Sequence, residues 1–207
     1  MTDADGLDEA LGVSLIRVQR QIEAIYQLEP TPDIAPFVRV GAENSREQVL
    51  VRQSFDDLEL VVLLPAASVD ALVADDPMPD DMDAYLGAIE GISHFIHLAE
   101  RARTRLPTTL LELELQAEVD KFAILADRPA LLAPRELHAL HRRLYENVRY
   151  LHAGQSELGQ RYRLANDLAA KLWSYLIRDG RNVSIRSVLR RFYRASQAEK
   201  IRMVRAA

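Results

Sequence analysis

The hydrophobic period of this chain shifts from strand-like to helical in mid-chain, and that shift fixes its fold class. From Met82 onward apolar residues return at three- and four-residue steps, the spacing of one helix face. Between Ile34 and Leu64 they alternate, or run together in short stretches, as β-strands require. The two regimes meet at residues 75–83 (DDPMPDDMD), where five Asp and two Pro stand in nine residues. Proline breaks regular structure, and Asp80 and Asp81 suit the positive N-terminus of the helix that follows. The segment lacks the spaced Asp, central Gly and final Glu of a calcium loop. The expected layout is a helix-plus-strand region at 1–74, an acidic linker at 75–83 and a helical region at 84–207. The whole can also form one continuous domain.

In the first region, residues 8–27 form an amphipathic helix with Leu11, Leu15, Val18, Ile22 and Ile25 on one face. Pro30 and Pro32 follow it. Three strands are expected at 34–40, 48–55 and 58–64, the first kept to an edge by Pro36. Asp56 and Asp57 make the turn between the last two. The third strand is apolar on both faces, which suits cover on both sides. In the helical region, helices are expected at 82–103, 109–125, 134–152, 156–178 and 184–195, with a short last one after Ser196. Thr108 or Thr109, Ser156 and Ser184 are their N-caps, Pro134 opens one, and Gly154 and Gly180 end two. Ser196 with Glu199 makes a capping box. The fold class is therefore α+β: an N-terminal helix and a three-stranded antiparallel β-meander, followed by a mostly antiparallel array of five or six helices.

Composition removes whole classes of chemistry. There is no cysteine, so disulfides, thiolate metal sites, iron–sulfur clusters and cysteine nucleophiles are excluded. The eight glycines form no phosphate-binding loop, and no Gly-x-Ser-x-Gly occurs. No motif points to an organic cofactor. Residues 1–10 are acidic and polar, without the basic and apolar regions of a secretory signal, and no apolar run is long enough to span a bilayer. A cytoplasmic location is expected.

Two patterns remain that carry chemistry. Glu90, His94 and His97 stand at i, i+4 and i+7 on one helix face, and Glu114, Glu118 and Lys121 repeat that spacing on the next helix. A tight turn near Leu106-Pro107 makes the helices antiparallel neighbours. Glu90, His94, His97, Glu114 and Glu118 then form a candidate divalent-metal set, in which imidazole and carboxylate suit a hard or borderline ion. A second stripe, Glu112, Gln116 and Asp120, is expected to face water.

The other pattern is charge. Residues 1–100 hold 5 Arg against 20 Asp/Glu, whereas residues 101–207 hold 21 Lys/Arg against 11 Asp/Glu. Basic residues concentrate at the end, where Arg186, Arg190, Arg191, Arg194 and Arg202 form a candidate anion- or partner-binding surface. The same arginines can instead dock on the acidic half of the chain. Three functions follow as expectations. The first is a non-enzymatic interaction or scaffold protein with charge-segregated surfaces, binding a protein partner or self-associating as a homo-oligomer. The second is a metal-dependent helical enzyme. The third is nonspecific nucleic-acid binding through the basic C-terminal helices.

Overall fold

A computed structural model describes residues 3–42, 45–53, 58–74, 80–127, 133–148, 150, 153–179 and 184–206. Among these, eight α-helices and one three-stranded sheet make the protein mixed α+β. The chain divides into two compact units, Met1–Glu23 with Leu28–Leu106, and Ala24–Gln27 with Pro107–Ala207. No helix among the described residues is long and apolar enough to cross a membrane.

The first unit begins with α1 (Asp3–Tyr26), whose last turn belongs to the second. Its buried face carries Leu11, Leu15, Val18 and Ile22, as the periodicity requires. Polar bonds fix the chain's exit from α1. Gln19 donates to Thr31 Oγ1 (2.8 Å) and Pro32 O (3.0 Å), and accepts from Ile34 N (3.0 Å). Glu23 accepts from Thr31 N (2.8 Å), Thr31 Oγ1 (2.7 Å) and Arg20 Nη1 (2.7 Å). Burial pushes the Glu23 carboxyl up, but the bonds from Thr31, Arg20 and Gln19 outweigh it and hold Glu23 below its ordinary range.

Pro36 turns the start of the expected first strand into a 3₁₀ turn at Ala35–Phe37, leaving β1 at Val38–Val40. β2 (Gln48–Gln53) and β3 (Leu58–Leu64) pair antiparallel, with Gln53 opposite Leu58. β1, however, runs parallel to β3 on its other edge, with Val38 opposite Val62. The expected antiparallel meander is therefore corrected to a mixed sheet of order β1-β3-β2. β3 takes the centre because both its faces are apolar. Val62 and Leu64 are wholly buried and Val61 and Leu63 half-buried, while Leu50 and Val51 on edge strand β2 are exposed.

An unanticipated helix, α2 (Ala66–Val73), follows directly on β3 and buries Val69 and Leu72. α3 (Met82–Thr104) packs on both α2 and the sheet. It ends at Arg105, whose φ of 53° is left-handed, and Leu106 N closes the turn on Arg101 O (3.0 Å). α2 and α3 flank the acidic Asp/Pro segment and lie in the same unit, whereas the chain passes between units at Leu106–Pro107. Residues 75–79, Asp56–Asp57, Gly180 and Arg181 lie outside the described residues.

The second unit contains α4 (Leu110–Ala126), α5 (Pro134–His141), α6 (Glu157–Asp179), α7 (Ile185–Arg194) and α8 (Gln197–Arg205). Thr109 caps α4 in a capping box with Glu112, Ser184 caps α7, and Ser196 with Glu199 boxes α8. The helix expected over 134–152 stops early. A π-helical turn at Arg142–Glu146 follows α5 and buries Leu144 and Tyr145. α4 and α6 make the core: Phe122 stacks on Trp173 at 4.1 Å, and Trp173 Nε1 donates to Val119 O (3.3 Å).

Candidate metal centre

Glu47 stands immediately before β2, while Glu90 and His94 share one face of α3. Gly91 brings the two elements together. A Cβ there would lie 3.0 Å from Val62 Cγ1, 3.1 Å from Leu64 Cδ2 and 3.2 Å from Glu47 Cγ. A glycine lets the α3 backbone approach the sheet closely without crowding these side chains, and Glu47 lies within ligand spacing of Glu90 and His94. One ligand atom from each of the three residues lies within 4.8 Å of the other two. His94 Nδ1 is 3.6 Å from Glu47 Oε1, and the two side chains are 10% and 11% exposed.

These spacings fit a metal. Oxygen and nitrogen ligands bind a zinc-like ion at about 2.0–2.2 Å, and so stand roughly 3.4 Å apart at tetrahedral angles. The His94–Glu47 distance already matches, and closing the full set takes about 1 Å of side-chain adjustment. Two carboxylates bring the charge that balances a divalent ion.

The other residues of the expected metal set have partners of their own. His97, wholly buried on α3, accepts from Arg101 Nε (3.3 Å). Glu114 and Glu118 belong to the second unit. There Glu114 faces Arg161 Nε at 3.6 Å, and Glu118 pairs with Lys121 Nζ at 2.8 Å. The structure thus joins Glu90 and His94 to Glu47, a residue the sequence did not single out.

The stripe expected to face water is buried: Glu112 is 3% exposed, Gln116 0% and Asp120 1%. The correction has a chemical cause, because α8 and the end of α1 supply partners. Lys200 Nζ donates to Gln116 Oε1 (3.0 Å), Gln116 Nε2 donates to Asp120 Oδ1 (2.8 Å), and Tyr26 donates its hydroxyl to Asp120. Lys200, itself wholly buried, lies 5.3 Å from the Phe192 ring centre. Burial, and then the charge of Asp120, push the Tyr26 hydroxyl well above its ordinary range, so it remains a donor.

Three of the C-terminal arginines have partners within the second unit. Arg186 pairs with Asp127 (2.9 Å), Arg190 Nε donates to Ile25 O (3.3 Å), and Arg194 Nη2 donates to Gln27 O (3.0 Å). Arg191 and Arg202 are exposed. A Ser/His/Glu string also occurs in this unit. His141 Nε2 is 2.9 Å from Ser174 Oγ, and its Nδ1 is 3.6 Å from Glu146 Oε1. The same Nε2 lies 2.9 Å from Ala170 O, which can only accept, so Nε2 carries the hydrogen and is no base for Ser174. The contact fastens α5 to α6.

Comparison with family models, with curated proteins and with solved structures returned no match.

Proposed function

We propose that this protein is metal-dependent, binding a divalent cation in its first unit through Glu47, Glu90 and His94. The observation that supports this reading is the convergence of two carboxylates and an imidazole at ligand spacing, where Gly91 gives them room. Three protein ligands leave a coordination position for an exogenous group, the arrangement of catalytic rather than structural sites. A bound ion would supply Lewis acidity there. The protein supplies charge balance through the two glutamates.

Full-length protein purified without chelator is expected to bind one Zn²⁺ or Mn²⁺ per chain by elemental analysis and titration calorimetry. His94→Ala and Glu47→Ala should each abolish stoichiometric binding, whereas His141→Ala, in the second unit, should keep it. Absence of uptake of either ion by the wild type, or undiminished uptake in both ligand variants, would refute the proposal.

A further inference from the structure

The arginines of α7 and α8 divide into those that meet a carboxylate and those that meet only backbone. Arg186 is neutralised by Asp127. Arg190 and Arg194 instead donate to Ile25 O and Gln27 O, at the C-terminal end of α1. A carbonyl fixes a guanidinium in place but carries no formal charge, so these two heads stay cationic and are already ordered. Arg191, Arg194, Arg202 and Arg205 are exposed on the two consecutive helices. The acid among the described residues of α7 and α8 is Glu199, and its carboxylate is committed to the α8 cap, accepting from Ser196 N (2.9 Å) and Ser196 Oγ (2.8 Å). Those bonds, and to a lesser extent the charge of Arg202, hold the Glu199 carboxyl below its ordinary range.

The whole-chain pI of about 5.6 hides this surface. Residues 107–207, the bulk of the second unit, hold 18 Lys/Arg against 11 Asp/Glu, while the acidic excess belongs to the first unit.

We infer that α7 and α8 form a phosphate-binding surface for the backbone of nucleic acid, with Arg191, Arg194, Arg202 and Arg205 as its contacts. Guanidinium groups match phosphate oxygens in bidentate geometry, and ordering part of the set in advance lowers the entropy lost on binding. A lipid surface fits less well. The exposed large apolar side chains among the described residues (Val13, Val40, Leu50, Val51, Leu106, Leu110 and Leu164) all lie outside α7 and α8, so nothing there would enter a bilayer. Contacts to phosphate position a protein without reading sequence, so the affinity should vary little with base composition.

The test is fluorescence anisotropy of full-length protein with a labelled 20-base-pair duplex between 50 and 200 mM salt. Neutralising three or four phosphates gives a slope of log K against log salt of about −3 to −4. The variant Arg191→Ala/Arg202→Ala/Arg205→Ala should bind about 10-fold or more weakly with a shallower slope, and the corresponding triple Arg→Lys variant should recover most of the affinity. Circular dichroism establishes that both variants are folded, since all three side chains are exposed. Three results would each overturn the inference: no duplex binding at 50 mM salt; equal binding by the Ala variant; or salt-sensitive capture of anionic vesicles, or of a second copy of this chain, without duplex binding.

Discussion

Each unit buries a cluster of polar side chains, and the two clusters are built on opposite plans. In the second unit Lys200, Gln116, Asp120 and Tyr26 alternate donor with acceptor, so each bond answers the next. In the first unit Glu47, Glu90 and His94 turn two acceptor-only carboxylates and one imidazole toward a common point. A network that closes on itself holds helices in register and has no need of a further atom. Two carboxylates and an imidazole at ligand spacing are instead where binding of an ion is to be sought.

The largest effect should come from the closed network. Lys200→Ala leaves Gln116 and Asp120 without their cationic end, and should cost about 3–5 kcal/mol. Urea unfolding followed at Trp173, the single tryptophan, reads this directly. A loss below about 1 kcal/mol would show that the network does not hold the unit. The Glu47–Glu90–His94 cluster should answer instead to an added ion. Glu90→Gln removes one of the two ligand carboxylates, and should abolish the gain in thermal stability that added Zn²⁺ gives the wild type. Thermal unfolding with and without the ion checks this, and an undiminished gain in the variant would contradict the contrast. The smallest effect concerns Glu23, a first-unit carboxylate built on the second unit's plan. Its folded pKa lies below its unfolded one, so its contribution is present above the ordinary carboxylate pKa and is lost as pH falls through the lower, folded value. Wild type should therefore lose more stability than Glu23→Gln between pH 6 and pH 3. Parallel losses would show that the Thr31 and Arg20 bonds do not favour the charged form.

What could be read from the sequence was what neighbours along the chain decide. Thr109, Ser184 and Ser196 cap helices as their types require, and α1 and α3 end close to the expected residues. Strand order was not legible, because alternation sets which side chains share a face but not which strand lies beside which. The two apolar faces of β3 were the available sign that it is central. α2 escaped notice because eight residues directly after an apolar strand show too little periodicity to separate from it. Glu47 escaped because it sits at a loop–strand junction and meets α3 only through tertiary packing. Its trace in the sequence is Gly91, an interior helix glycine beside Glu90, of the kind that marks a close approach. The buried Glu112–Gln116–Asp120 stripe misled for a related reason. A polar face reads as solvated until another element brings a matching ammonium and hydroxyl to it.

The last turn of α1 has a further meaning. Residues 24–27 sit in the second unit, where the Tyr26 ring packs at a tilt on Tyr193 with centroids 4.5 Å apart and gives its hydroxyl to Asp120, and two arginines of α7 grip the carbonyls beside it. In effect the second unit holds a captive peptide ligand, tethered by covalent bonds at an effective concentration no free peptide reaches. A chain severed after Leu28 would have to recruit that turn from solution. The half left behind would carry a vacant, ready-made receptor for a four-residue helical end.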